Sequence, residues 1–165
     1  MYGTVKPKEQ NKGDKPKLQY YQTETQDIFS IRGTDDVEDL IMDANLVIQD
    51  SLRDIIQNPA IDEKEKQFIK YIRQNRRQDK ELILTGHSLG SYHINNMHSK
   101  LPSARVVGFG HVGFNISPKA EALYSYDKDP LYRPTGKPNH IVLKKNAPSF
   151  FHNPFNYYHS TKNFY

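Results

Sequence analysis

One short segment of the chain has the residue types and spacing that nucleophilic catalysis requires. Gly86-His87-Ser88-Leu89-Gly90 directly follows the predicted strand 81–85 and precedes a stretch of helical character. In such a G-x-S-x-G turn the serine has strained backbone angles, and the two glycines prevent steric collision. We therefore expect Ser88 to present its hydroxyl above a sheet edge, with the Leu89 N–H facing a developing oxyanion. The alternative is an ordinary turn in which Ser88 caps the helix.

The elements that would position Ser88 alternate between strand and helix. Asn58-Pro59 is a good helix start, with asparagine as the cap and proline at the first helical position. Such alternation predicts an α/β fold, a mainly parallel sheet with helices on both faces. The predicted strands are 27–33, 81–85, 104–109, 122–126 and 140–143, and the predicted helical segments are 37–56, 59–78 and 88–100.

Length and composition limit the alternatives. A chain of 165 residues suits one compact domain. The absence of cysteine excludes disulfides, thiolate zinc sites and a cysteine nucleophile. The histidines lack metal-ligand spacing, so we expect neither a metal nor a cofactor. No apolar run approaches the roughly 18 residues that span a bilayer, and no secretory signal is recognisable. The expected location is cytoplasmic or within an assembly such as a virus particle.

Basic residues are concentrated at the two ends of the chain. Residues 1–17 have few large apolar side chains, which predicts a basic, flexible tail outside a domain of residues 18–165. No acidic residue follows Asp129. These ends could simply be solvated, or they could bind an anionic surface or a protein partner. The lysines of the first segment are Lys6, Lys8, Lys12, Lys15 and Lys17, and the later basic residues are Arg133, Lys137, Lys144, Lys145 and Lys162.

Segments on both sides of the serine motif complete a recognisable pattern. Ile31-Arg32-Gly33-Thr34 precedes the motif, and Asp129-Pro130-Leu131 and His159-Ser160 follow it. In this order, and together with the serine motif, they resemble the class 3 lipases and related small lipase-like hydrolases over residues 27–165. The resemblance implies an α/β-hydrolase-like fold with a trimmed sheet.

The resemblance also implies roles for individual residues. His159 would accept the proton of Ser88, and Asp129 would orient and stabilise the imidazole. Thr34 would supply an oxyanion donor beside Leu89. The chain order of nucleophile, acid and histidine is the order expected for this fold.

Two of these roles have rivals within the chain. Asp127 also follows the predicted strand 122–126 and competes with Asp129 as the catalytic acid. His152 competes with His159 as the base. His140 would open a strand and would therefore lie at the sheet edge opposite the active site. His111 could line the site.

The sequence departs from the family pattern in places. Asp39 and Asp43 lie where the family often has an Asp-Trp pair and a later aspartate, but the chain has no tryptophan. Ser91 stands where a second glycine is common. The short stretch between Gly33 and Gly86 leaves little material for a lid.

These observations favour a serine ester hydrolase that forms an acyl-enzyme on a lipid or small carboxylic ester. The aromatic segment 150–165 and the basic ends would suit an interface with phospholipid or acylglycerol. The competing hypothesis is a non-catalytic hydrolase fold serving as a component of a larger assembly, such as a virus particle. Specific nucleic-acid binding is the weakest hypothesis, since no recognised module is present.

Overall fold

The described part of the chain is organised around a mostly parallel sheet of six strands. The structure is a computed structural model and describes residues 18–33, 59–111, 120–129 and 136–144. The strands lie side by side in chain order, and only the first pair is antiparallel. The elements are β1 (Leu18–Gln22), β2 (Gln26–Ile31), α1 (Pro59–Asn75), β3 (Glu81–His87), α2 (Leu89–Met97) with a following 3₁₀ turn (His98–Lys100), β4 (Arg105–Phe109), β5 (Ala122–Tyr126) and β6 (His140–Leu143).

The hydrophobic core lies between the sheet and the two described helices. Phe29, Leu84 and Val106 are aligned across β2, β3 and β4 and are fully buried. Ile72 of α1 and Ile94 of α2 belong to the same buried cluster. Both described helices therefore cover one face of the sheet. The α/β architecture with a mainly parallel sheet is confirmed, whereas the predicted helical segment 37–56 lies outside the described residues.

A buried polar pair joins the helices to each other. Nδ1 of His93, on α2, lies 3.0 Å from Oε1 of Glu65, on α1. The side chains of His93 and Glu65 are only 2% and 3% exposed. The same carboxylate oxygen accepts a 3.2 Å hydrogen bond from the amide of Asn96. Since a buried carboxylate is costly without partners, these contacts fix the register of α1 against α2.

Charged side chains connect the strands at their amino-terminal edge. Asp27 is fully buried and binds Arg77 through Nε at 2.9 Å and through a terminal guanidinium nitrogen at 2.7 Å. The hydrogen bonds from Arg105 lower the pKa of Glu121, and those from Gln26 and Arg105 lower the pKa of Glu81. These contacts hold the beginnings of β2 to β5 together, which leaves the opposite, carboxyl-terminal edge for the residues predicted to do chemistry.

Candidate active site

Ser88 forms a sharp turn between β3 and α2. Its backbone angles are φ 56° and ψ −127°, and it is the only non-glycine residue with positive φ in the described part of the chain. The conformation is held by a 3.0 Å bond from the Ser88 N–H to the Phe109 carbonyl and a 2.9 Å bond from the Ser91 N–H to the Ser88 carbonyl. A non-glycine residue in this strained region persists only where its surroundings impose the conformation.

The Ser88 side chain does not cap the helix. Although Ser88 occupies the N-cap position of α2, it makes no side-chain capping hydrogen bond. The residue is 2% exposed, and its Oγ has no hydrogen-bond partner among the described residues. The alternative of a serine that merely caps the helix is therefore wrong, and a buried hydroxyl without a partner calls for another explanation.

Close packing around Ser88 depends on glycines. A β-carbon on Gly86 would lie 2.6 Å from the Gly90 carbonyl oxygen, and one on Gly90 would lie 2.0 Å from the Ile31 carbonyl oxygen. Both distances are far below van der Waals contact, so neither position accepts a side chain without movement. The two glycines of the motif thus allow the first turn of α2 to rest directly on β2 and β3.

The segment after β2 passes next to the serine. A β-carbon on Gly33 would lie 2.9 Å from Ser88 Cβ and 3.4 Å from the Leu89 nitrogen. Leu89 begins α2, and the first amides of a helix have no acceptor within the helix. The structure therefore brings Gly33 and the two predicted residues Ser88 and Leu89 together. Thr34, the other predicted oxyanion donor, lies outside the described residues.

Both candidate carboxylates follow β5 at the same sheet edge as Ser88. Asp129 is 5% exposed, and its N–H donates to the Tyr126 carbonyl over 3.1 Å. Asp127 is half-buried, and its N–H donates to the Leu143 carbonyl over 3.0 Å. One carboxylate oxygen of Asp127, Oδ1, is buried and makes no hydrogen bond within the described segments. Asp129 is thus the more deeply buried of the two residues. The predicted base His159 and its rival His152 lie outside the described residues.

A buried polar network beneath the first turn of α2 was not predicted from the sequence. Nδ1 of His111 lies 3.0 Å from Oγ of Ser91. The His111 carbonyl accepts a 3.5 Å hydrogen bond from Ser125 Oγ, which lies 3.0 Å from Nε2 of His140. The rings of His111 and His140 meet edge to face with centroids 5.9 Å apart. The network therefore links α2 to the loop after β4 and to strands β5 and β6.

The position of His140 corrects one expectation. His140 does open β6, as predicted, but it does not lie at an opposite edge far from the serine motif. It pairs with Leu123 of β5, and its ring contacts His111, whose partner Ser91 is in the first turn of α2. The cumulative register of the sheet causes the difference, because Leu123 pairs with Gly108 of β4, which in turn pairs with Gly86 of β3. The start of β6 therefore lies level with the serine motif. Burial also lowers the pKa of His140.

The described residues contain no group of three or more histidine, aspartate or glutamate side chains that could hold a metal ion. Within the same segments, no helix is both long enough and apolar enough to cross a membrane.

Comparison of the chain with protein-family models, with curated proteins and with solved structures finds no match.

Proposed function

We propose that this protein is a serine ester hydrolase in which Ser88 is the nucleophile. The observation that carries the proposal is the strained backbone of Ser88 at the end of β3, combined with a buried hydroxyl that makes no hydrogen bond within the described residues. A helix cap needs neither feature. A nucleophile benefits from both, because the strained turn presents the hydroxyl to the substrate, and no hydrogen bond from another described residue competes for it.

In this mechanism Ser88 Oγ attacks the ester carbonyl carbon while His159 accepts its proton. The tetrahedral oxyanion accepts hydrogen bonds from the backbone amides of Leu89 and Thr34. The C–O bond to the alcohol then breaks, and the leaving oxygen takes the proton from His159. Water, activated by the same histidine, releases the acid and regenerates Ser88. Asp129 keeps the imidazole in the required tautomer throughout.

The sheet topology supports the same assignment. The ends of β2, β3 and β5 carry Gly33, Ser88 and Asp129, and parallel strands end at a common edge. Adjacent strands are about 4.8 Å apart, so the ends of β3 and β5 are separated by about 10 Å. One imidazole ring can bridge a serine and a carboxylate attached at these ends. We therefore propose an α/β-hydrolase-like fold resembling the small class 3 lipases.

The substrate class that we propose is a carboxylic ester of a lipid or small alcohol. The reaction uses only groups of the protein and water, so the mechanism requires no metal or cofactor.

Fluorophosphonate labelling tests the proposal directly. The intact protein should be modified at Ser88, as identified by peptide mass spectrometry, and should hydrolyse p-nitrophenyl butyrate. Ser88→Ala should abolish labelling and lower turnover by about 10⁴-fold or more. Ser103→Ala, which removes an exposed hydroxyl at the far end of the sheet, is the matched control and should behave as the wild type.

Two results would contradict the assignment. Turnover that survives in pure Ser88→Ala protein would show that another group is the nucleophile. A folded wild-type protein that is neither labelled nor active on esters would instead favour the non-catalytic component of an assembly.

A further inference from the structure

A basic pocket lies between α1 and the 3₁₀ turn after α2. It has a volume of about 470 Å³ and is lined by Lys66, Ile69, Lys70, Arg73, Gln74 and Lys100. We refer to the pocket lined by these six residues as the basic pocket. The volume is within the range of small-molecule sites. Four of the six lining residues are cationic and none is acidic, a composition that favours an anionic ligand.

Helical spacing produces this arrangement. Lys66, Lys70 and Arg73 follow one another at intervals of four and three, which places them on one stripe of α1 facing the turn. Like charges at this spacing destabilise a helix. Lys66 forms an exposed pair with Glu63 at 3.5 Å, and exposed pairs of this kind contribute little. Glu65 faces the other way, toward His93. An anion in the pocket would relieve the repulsion along the stripe.

Arg73 is partly preorganised for such an anion. One terminal guanidinium nitrogen of Arg73 donates a 3.2 Å hydrogen bond to the Lys100 carbonyl, which ties α1 to the turn and holds the side chain at the pocket. The remaining N–H groups of the planar fork suit the paired oxygens of a phosphate, and the lysines add charge without strict geometry. Ile69 is 6% exposed and supplies an apolar floor. An apolar floor under four cations fits an organic group that carries phosphate.

The basic pocket is separate from the candidate active site. Lys100 follows α2 at its carboxyl-terminal end, whereas Ser88 precedes the same helix. The nine residues of α2 alone put about 14 Å between these ends along the helix axis. A ligand in the basic pocket therefore does not occupy the proposed ester site.

We propose that the basic pocket binds a phosphate ester or diphosphate group, presented either by a soluble organic phosphate or by a lipid headgroup. This binding is independent of the reaction proposed for Ser88. It also differs from attraction through the basic ends of the chain, because the residues involved lie on α1 and the 3₁₀ turn.

Calorimetric titration of the full chain with inorganic pyrophosphate tests the binding. We expect saturable binding that weakens as NaCl is raised from about 50 to 300 mM, since salt screens exposed charges. Lys70→Gln/Arg73→Gln should weaken binding by about tenfold or more, the scale of one lost charge-assisted contact. Lys66→Gln/Lys70→Gln keeps the Arg73–Lys100 hydrogen bond and should also weaken binding, which guards against a folding defect in the first variant.

The control variant removes the same charge elsewhere. Lys137→Gln/Lys144→Gln changes two exposed lysines beside β6 and should bind pyrophosphate within about twofold of the wild type.

Sedimentation with phosphatidylcholine vesicles, with and without 10% phosphatidylinositol 4-phosphate, distinguishes a lipid headgroup from a soluble organic phosphate. Binding to phosphorylated vesicles that is weakened in Lys70→Gln/Arg73→Gln but not in the control variant identifies a headgroup, and pyrophosphate binding without such vesicle binding identifies a soluble ligand.

Several outcomes would overturn the proposal. These are no saturable binding of pyrophosphate or vesicles, an equal loss in the pocket and control variants, or binding only to RNA. Ser88→Ala should bind pyrophosphate as the wild type does, and the pocket variants should keep ester turnover. Failure of the pocket proposal is thereby distinguishable from failure of the proposed reaction.

Discussion

Ser88 occupies a backbone region in which glycine is less strained than any residue with a β-carbon. A conformation of this kind costs on the order of 1–3 kcal/mol for a non-glycine residue. The hydroxyl of Ser88 makes no compensating hydrogen bond among the described residues. No hydrogen bond of the Ser88 side chain within the described residues therefore offsets this strain, which is consistent with the nucleophile role that we propose for Oγ.

This strain predicts an unusual order of stability among Ser88 variants. Glycine within regular structure is ordinarily less stable than alanine by about 0.5–1 kcal/mol. At φ 56° and ψ −127° the order should reverse, with Ser88→Gly more stable than Ser88→Ala by about 1 kcal/mol in urea unfolding. Neither variant should hydrolyse esters. A more stable alanine variant would show that the turn is relaxed in solution.

His140 predicts how stability depends on pH. Burial lowers its pKa below the ordinary value of 6.5, so below that pH the unfolded chain binds a proton that the folded protein resists. The contribution of neutral His140 to the free energy of unfolding is thus fully present above pH 6.5. It is lost as the pH falls toward the lower pKa of the folded protein. The melting temperature should fall between about pH 7.5 and 5.5, and it should fall less in His140→Gln. Equal decreases in the two proteins would exclude His140 as the source.

At the scale of elements, the position of α2 is set by how closely it approaches the sheet. A β-carbon on Gly108 of β4 would lie 2.1 Å from Ser91 Oγ and 2.8 Å from a methyl carbon of Leu123. The helix therefore has no room to accommodate a larger residue without moving, and its movement would displace Ser88.

Substitutions at this contact should be coupled. Gly108→Ala should destabilise the protein by about 1–3 kcal/mol through overpacking. Ser91→Ala alone should cost about 1 kcal/mol, because it removes the hydrogen bond with His111. The double variant should be more stable than the sum of these losses predicts, since the hydroxyl nearest the new methyl group is gone. Simple additivity in denaturant unfolding of the four proteins would contradict this packing.

Most described elements follow from local sequence patterns. β5 and β6 have the predicted bounds, and α1 begins at Pro59 as expected, although it ends at Asn75 and not at residue 78. β1 was not predicted because Leu-Gln-Tyr-Tyr-Gln has no alternating pattern. Only Tyr20 of β1 is buried, and it stacks on Phe29 of the neighbouring strand with ring centroids 4.3 Å apart. Pairing with β2 therefore explains β1 better than its own composition does.

The candidate site also has one part that local sequence predicts and one part that it does not. The turn at Ser88 is local, so the motif predicts it from adjacent residues. The network of Ser91, His111, Ser125 and His140 depends on strand register and stagger, which residue spacing does not reveal. The nearest signals were Ser91 in place of a second glycine and His111 directly after a strand.

On the scale of the whole molecule, the sheet begins with β1, whose first residue Leu18 pairs with Ile31 of β2. Residues 1–17 precede this strand and were predicted to form a basic tail. A chain that starts at Leu18 should keep its fold and its turnover of a soluble ester. It should bind anionic vesicles more weakly than the full chain, especially at low salt. A folded but inactive truncated protein would show that the tail completes the site.

The order of strands in the sheet also bears on how the molecule folds. Each described strand pairs with the next described strand, but the connections differ greatly in length. β3 and β4 are joined by residues 88–104, whereas residues 32–80 separate β2 from β3. Closing a longer loop costs more entropy, and non-local pairing slows folding. β3, α2 and β4 should therefore associate early, with the turn at Ser88 already formed, and β2 should bring Gly33 to it in a later step. In pulsed hydrogen exchange, amides of β3 and β4 should gain protection before those of β1 and β2.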